Sequence, residues 1–265
     1  SGPVLGVLGR KAIHLLEEKS KLVSKTNLFV FFLKAASCHV QLGAFQEAEE
    51  AFTRCLELTE EEVHNWYVVK ETYLGSLYRS GQYQKAFEVF QDAIHRPGFK
   101  KLSVPFVEQW SVQEAFLHYF ISIGKIKPSL KQTESVGKFR LNKFLNDVPN
   151  FSKDKRGMNI SILILQTLFL IQQKRFEDVN ERLNALKAYS HRYLRKDDTF
   201  RSNCFIHMLL QLPHAYFNRK AAERKAKKFA DQLSAAPLAA ANQSGELELV
   251  PYEDLWQFVL SSLKG

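Results

Sequence analysis

The chain has 265 residues, of which 45% are hydrophobic and 25% charged, a composition typical of a globular protein with a large core. Its formal charge of +9 permits an acidic partner such as nucleic acid without requiring one, because the basic residues are spread along the whole chain. The 12 glycines and 8 prolines fall mostly between apolar segments, which excludes a low-complexity chain and favours long regular elements.

Hydrophobic periodicity predicts that these elements are helices. A first amphipathic helix is expected over Lys11–Val23. Asn27 is predicted to cap a strongly apolar helix, Leu28–Leu42, and Gly43 ends it before a second amphipathic helix, Phe45–Leu58. The link between the last two is so short that they must pack antiparallel.

The same order of elements then returns. Glu60–Arg79 is a predicted helix, Gly81 breaks it, and Tyr83–Ile94 is its partner. The repeat distance, from Ala48 to Ala86, is 38 residues, and a fixed period of this size is typical of stacked arrays. Aligning the two breaks matches Gly43, Phe45, Ala48, Phe52 and Cys55 with Gly81, Tyr83, Ala86, Phe90 and Ala93.

These residues resemble the tetratricopeptide repeat. In that family an aromatic residue follows a glycine turn, and the second helix then carries a small, a bulky and another small residue in that order. Pro97 falls near the closing proline of that family's motif. Three positions depart from the motif: Leu74 stands where a small residue is expected, and the family's tryptophan is absent at Phe32 and Lys70. The resemblance covers roughly Asn27–Pro97 and implies an all-α fold, a right-handed stack of antiparallel helical hairpins. More generally, the chain resembles bacterial proteins with degenerate repeats of this kind, which implies no particular activity.

The repeat weakens toward the C-terminus. Val107–Ile123 is a predicted helix ended by Gly124, and its partner is expected at Glu134–Asn146, displaced by an insertion. The basic, polar connector Pro149–Gly157 predicts a boundary within the array. Residues 1–148 form the repeat part, and residues 149–265 form a second part that continues the same stack of helices. A third, degenerate hairpin is predicted over Asn159–Gln172 and Phe176–Tyr189, with Lys174 in place of the turn glycine.

Irregular helices are expected to end the chain. Asp198 or Thr199 is predicted to cap a helix that runs to Leu212, where Pro213 stops or kinks it. The other predicted elements are a long amphipathic helix at Ala215–Ala235, a loop at Ala236–Gly245 and a capping helix from Pro251 to Leu263.

The resemblance implies a non-catalytic scaffold that binds a protein or peptide on the concave face formed by the first helices of successive hairpins. Ser37, Gln41, Glu71, Gly75, Tyr78 and Arg79 are the positions that carry over, and Glu114 and His118 continue the surface if the next helix stacks in register. That these residues are simply solvated stays open. The family's basic carboxylate clamp is not reproduced, because only Arg79 is basic among these positions.

A basic helical array that binds nucleic acid, as part of a regulator, is the alternative. Lys220, Arg224 and Lys227 or Lys228 recur at helical spacing and form a stripe that suits phosphates. An ordinary solvated face explains the stripe equally well. No aromatic residue interleaves with the basic ones, as binders of single strands require.

Enzymatic chemistry has little support in the sequence. Glu114 and His118, one helical turn apart, are the one pair suited to acid–base work, and neither a glycine elbow nor a nucleotide-binding loop is present. Cys204, His207 and His214 form the one close Cys/His group and lack a fourth ligand. We therefore expect no enzyme activity, no metal and no cofactor.

Features of the termini and cysteines indicate where the protein works. Cys38, Cys55 and Cys204 each lie in an apolar helical context, which predicts buried free thiols in a reducing compartment. No signal peptide is visible and the most apolar run, Ile160–Ile171, is shorter than the roughly 18 residues of a spanning helix, so we expect a soluble, cytoplasmic protein without membrane contact. The chain begins Ser-Gly-Pro without methionine, which fits the C-terminal part of a longer protein.

Overall fold

The computed structural model of the protein describes residues 24–129, 139–146, 158–194, 199–238 and 248–264. These residues form α-helices and contain no β-strand, apart from an isolated parallel bridge between Asn218 and Lys264. The all-α class predicted from the periodicity is therefore confirmed for this part of the chain. The predicted helix Lys11–Val23, the connector Pro149–Gly157 and most of the loop predicted after Ala235 lie outside the described residues.

The chain divides into two compact units, the first ending at Leu102 and the second beginning at Ser103. Residues 103–129 and 139–146, which the sequence assigned to the first part, fall within the second unit. The reason is packing, because the helix that begins at Val104 lies against the apolar helix that begins at Met158.

The described part of unit 1 consists of two helical hairpins. The helices are α1 Lys25–Gln41, α2 Phe45–Glu57, α3 His64–Arg79 and α4 Tyr83–Ile94, followed by a 3-10 helix at Pro97–Lys101. Helix α1 packs against α2, and α3 packs against α4, while α3 also contacts both α1 and α2. The small residues Ala48 and Ala86 are buried where the helices approach each other, and Phe52 and Phe90 are buried beside them.

Two helix starts in unit 1 differ from the predictions. Ser24, rather than Asn27, caps α1, and its Oγ accepts a hydrogen bond from the Asn27 N–H at 3.2 Å. Helix α3 begins at His64 rather than Glu60, because Glu62 adopts a positive φ of 64° that no helix residue has. The Glu62 carboxylate instead accepts a hydrogen bond from the Gly98 N–H at 2.8 Å.

One turn geometry closes four helices of the chain. The turn residues Gly43, Gly81, Gly124 and Lys174 have positive φ angles of 72°, 71°, 72° and 58°. In each turn the next residue's N–H bonds to a carbonyl five residues earlier, at 2.8–3.0 Å, in the Schellman arrangement. Lys174 therefore occupies the place of a turn glycine, as the alignment of the third hairpin predicted.

The described part of unit 2 is arranged around one buried helix. Its helices are α5 Val104–Ser122, α6 Leu141–Asn146, α7 Met158–Gln172, α8 Phe176–Tyr193, α9 Phe200–Leu209, α10 Gln211–His214, α11 Arg219–Ala235 and α12 Tyr252–Ser262. Every residue of α7 from Ile160 to Ile171 is buried, because the helix is apolar all round and packs against α5, α8 and α12. Its polar Gln166 donates a hydrogen bond to the Phe144 carbonyl at 2.6 Å.

The last helices of unit 2 depart from the predicted bounds. The helix that follows Thr199 ends at Leu209, and Pro213 lies in the short α10. Thr199 stands at the N-cap position but makes no capping bond with its side chain. The long basic helix begins at Arg219 rather than Ala215, because Tyr216 and Phe217 both adopt positive φ.

A buried arginine connects the last elements of unit 2. Arg201 of α9 bonds to the carboxylates of Glu248 and Glu253 and to the carbonyls of Leu233 and Ala236. It thereby ties α9 to the end of α11 and the start of α12. We call this group the Arg201 cluster.

No helix among the described residues combines the length and apolarity that crossing a bilayer requires.

Candidate functional site

The first helices of the two hairpins in unit 1 lie side by side and expose matching stripes. On α3, Val68, Thr72, Gly75 and Arg79 are half-exposed and recur at helical spacing. The positions 38 residues earlier on α1 are Val30, Lys34, Ser37 and Gln41, all of them exposed. We call these eight residues the α1/α3 face. Helix α1 contacts α3, and the 38-residue offset gives the two stripes equivalent positions on their helices.

Most of the predicted groove residues of unit 1 are accessible, and one is not. Ser37 and Gln41 are exposed, while Glu71, Gly75 and Arg79 are half-exposed. Tyr78 is completely buried at 0% exposure, and burial raises its pKa well above the ordinary tyrosine value. Tyr78 is therefore a core residue, and its prediction as a contact for a partner is wrong.

Gly75 has an unusual environment for a glycine within a helix. It costs about 1 kcal/mol of helix stability relative to alanine. An ideal Cβ placed on Gly75 would meet no atom of the described residues within 4 Å, so none of these residues requires the missing side chain. Gly75 instead leaves open space on the α1/α3 face, and its counterpart on α1 is the small residue Ser37.

Glu114 and His118 lie on α5 and belong to unit 2. Glu114 Oε1 and His118 Nε2 are 3.9 Å apart, which is beyond hydrogen-bond distance. The imidazole stacks on Phe139 with 4.4 Å between ring centroids and 15° between ring planes. The pair thus has the packing of an aromatic cluster, and no direct proton transfer joins its two members in this geometry.

The predicted basic stripe is exposed on α11. Lys220, Arg224, Lys227 and Lys228 all lie on the surface, whereas Ala222, Ala226 and Leu233 of the same helix are buried. Asn218 caps the helix, its Oδ1 accepting a hydrogen bond from the Ala221 N–H at 3.0 Å.

A groove of about 510 Å³ lies between α8 and α9 in unit 2. One end is organised by Asn203, which accepts a hydrogen bond from Ser190 and donates one to the Leu194 carbonyl, both at 2.7 Å. His207 lines it and stacks on Phe229 of α11 at 4.9 Å. The lining residues are Lys187, Ser190, His191, Leu194, Asn203, Ile206, His207 and Leu210.

The cysteines and histidines do not assemble a metal site among the described residues. Cys204 is buried, and burial raises its pKa, whereas His214 is exposed beyond Pro213. Cys55 is buried as predicted, with a pKa raised by burial to about 12. Cys38 is exposed, against the prediction, because it lies on the side of α1 opposite Phe29 and Ala36, which face the core.

Sequence reasoning missed several members of these surfaces. Lys34, Thr72 and the two valines of the α1/α3 face follow from the 38-residue offset, so applying the period to every position of α1 and α3 would have found them. The exposure of Tyr216, at 92%, had no comparable signal, because it depends on an irregular turn.

The chain matches no family model, no curated protein and no solved structure.

Proposed function

We propose that unit 1 is a non-catalytic protein-interaction module that holds a segment of a partner protein against the α1/α3 face. In this proposal the hairpins of unit 1 stack as the first turns of a right-handed, tetratricopeptide-like array. The observation that carries the proposal is the open space at Gly75, a destabilising residue within a helix that no contact among the described residues explains. A partner backbone can approach α3 closely only where a side chain is absent.

The chemistry of the face suggests the kind of segment that binds. Val30 and Val68 offer apolar contact, and Lys34 and Arg79 offer positive charge on either side of the small residues. An extended or helical peptide with apolar side chains and flanking carboxylates complements this arrangement. Glu114 and His118, which belong to the other unit, have no part in this proposal.

Gly75→Arg tests the proposal. Because a Cβ added at Gly75 meets no atom of the described residues within 4 Å, we expect the variant to fold, with the arginine occupying the open space on the α1/α3 face. Proteins are captured from a lysate of the cells that make this protein, on the immobilised wild type and on each variant, and identified by mass spectrometry. For a defined set of proteins captured by the wild type, we expect the amount captured by Gly75→Arg to be at least tenfold lower.

Two variants control for the substitution. Gly75→Ala adds only a methyl group and is expected to keep most of the captured set. Gln46→Arg adds the same charge to an exposed position of α2, away from the face, and is expected to keep all of it. Circular dichroism confirms that each variant is folded. If folded Gly75→Arg captures the same proteins as Gln46→Arg, the α1/α3 face is not the binding surface.

A further inference from the structure

The turn that leads into α11 displays an aromatic ring to solvent. Tyr216 and Phe217 have consecutive positive φ angles of 51° and 54°, a conformation that costs side-chain-bearing residues free energy. Phe217 is anchored by stacking on Phe176, with 4.2 Å between centroids and 19° between planes. Tyr216 points the other way and is 92% exposed, the highest exposure of any large hydrophobic side chain in the described part of the protein.

The turn is held rigidly by the backbone. The N–H of Tyr216 bonds to the Pro213 carbonyl at 2.9 Å, and that of Phe217 bonds to the Leu212 carbonyl at 3.0 Å. The Arg219 N–H bonds to the Lys264 carbonyl at 2.9 Å, which fixes the first turn of α11 to the end of the chain. The backbone of Tyr216 is therefore held in place relative to the basic helix that follows.

Tyr216 stands at the end of the basic stripe. Lys220, Arg224 and Lys228 follow it at intervals of four residues, and all three are exposed. Over their helical span, from residue 220 to residue 228, they extend about 12 Å, the length of roughly three to four stacked nucleotides. An aromatic residue thus does accompany the basic residues in the sequence. Helical periodicity does not detect it, because Tyr216 precedes the helix.

The charge of this stripe is largely uncompensated. Glu223 pairs with Arg219 at 3.4 Å, and Asp231 pairs with Lys227 at 3.3 Å. No carboxylate in the described part of the chain lies within ion-pair distance of Lys220, Arg224 or Lys228. Three solvated cations recur along a helix that begins three residues after an exposed aromatic ring, and together they complement a polyanion whose monomers also carry flat rings.

We propose that unit 2 binds single-stranded nucleic acid, with one base stacked on Tyr216 and the phosphates that follow it bound along Lys220, Arg224 and Lys228. A single strand is favoured over a duplex because stacking on an exposed tyrosine needs an unpaired base. This activity lies in unit 2 and is independent of the protein-interaction face in unit 1.

Fluorescence anisotropy with the whole chain and a labelled oligonucleotide of about 12 nucleotides, within the usual range of site sizes, tests the proposal. At about 50 mM salt, Tyr216→Ala is expected to weaken binding about tenfold, since the stacking of one base on the ring is lost. Tyr216→Phe keeps the ring and is expected to bind within about twofold of the wild type. The 92% exposure of Tyr216 means that neither change disturbs the core.

Charge variants test the phosphate contacts. Arg224→Glu is expected to weaken binding at least tenfold, whereas Lys101→Glu, an equal charge change at an exposed position of unit 1, is expected to alter it little. The logarithm of the binding constant falls with the logarithm of salt concentration by about 0.7 per phosphate contact, so Lys220→Gln is expected to reduce the slope by about that amount.

Three results would overturn the proposal: absence of binding by the wild type at low salt, equal affinity for Tyr216→Ala and the wild type, or affinity for the duplex equal to that for the single strand. Duplex binding that depends on Arg224 but not on Tyr216 would assign the stripe to ordinary phosphate contacts and remove the stacking role. None of these results affects the test at Gly75, because that test uses different variants and a different ligand.

Discussion

Arg201 and Glu248 form a bidentate ion pair in the interior of unit 2. Arg201 Nε donates to Glu248 Oε2 at 2.9 Å, and Nη2 donates to Oε1 at 2.8 Å, with both side chains at most 1% exposed. The remaining guanidinium N–H groups bond to Glu253 and to the carbonyls of Leu233 and Ala236. Every donor of the arginine thus has an acceptor, which is what burial of a charge requires.

Removing one side of this pair is expected to be costly. Arg201→Met leaves the Glu248 carboxylate buried without its counter-charge, and we expect the free energy of unfolding to fall by about 3–5 kcal/mol. The double variant Arg201→Met/Glu248→Gln is expected to lose less free energy of unfolding than Arg201→Met alone, because neither charge of the pair remains buried. Urea unfolding followed by circular dichroism measures the difference.

Arg219→Met provides the matched control. Arg219 forms an exposed i,i+4 pair with Glu223, and such pairs contribute about 0.3–0.5 kcal/mol. If Arg201→Met destabilises the protein no more than Arg219→Met, the Arg201 cluster does not hold the end of unit 2 together.

Lys174 is expected to be a suboptimal turn residue. Its φ of 58° places a side-chain-bearing residue in the left-handed region, where glycine has no steric penalty. We expect Lys174→Gly to raise the free energy of unfolding by about 0.5–1 kcal/mol, and Gly81→Ala, at φ 71°, to lower it by a similar or larger amount. Thermal unfolding of both variants measures these changes. If the two substitutions changed the stability in the same direction, strain at positive φ would not explain either effect.

His207 is expected to make unit 2 less stable in acid. Partial burial lowers its pKa below 6.5, and the positive charges of His191 and Lys187 lower it further. A histidine with a lowered pKa in the folded state contributes stability above the unfolded value of about 6.5, and this contribution is lost as the pH falls through the folded value. Between about pH 7.5 and pH 5, we expect the Tm of the wild type to fall more than that of His207→Gln. A fall of the same size in both proteins would show that other groups cause the acid sensitivity.

Cys38 is expected to be the reactive thiol of the described structure. It is exposed, whereas Cys55 and Cys204 are buried and burial raises the pKa of both. Iodoacetamide at neutral pH should label Cys38 in the native protein, with the other two labelled only in denaturant, as peptide mass spectrometry can show. Loss of native labelling in Cys38→Ser is the matching control. Rapid native labelling of Cys55 would mean that α1 and α2 separate readily.

The helices and most of their turns could be predicted from the sequence, because their determinants are local. Hydrophobic periodicity located the three hairpins, and the left-handed turns at Gly43 and Gly81 follow from glycine's freedom at positive φ. Lys174 was also placed correctly, since the flanking helices specify the turn even without a glycine. The candidate face was predictable in part, because the 38-residue period assigns equivalent positions to α1 and α3.

Only the tertiary structure decided which side of each helix is covered. Tyr78 and Arg79 are neighbours in the sequence, yet Tyr78 is buried and Arg79 is half-exposed. The Arg201–Glu248 pair joins residues 47 positions apart, and the exposure of Tyr216 depends on Phe217 packing against Phe176. A local pattern determines where a helix forms, but burial depends on neighbours that are distant in the sequence, and those neighbours meet only when the chain folds.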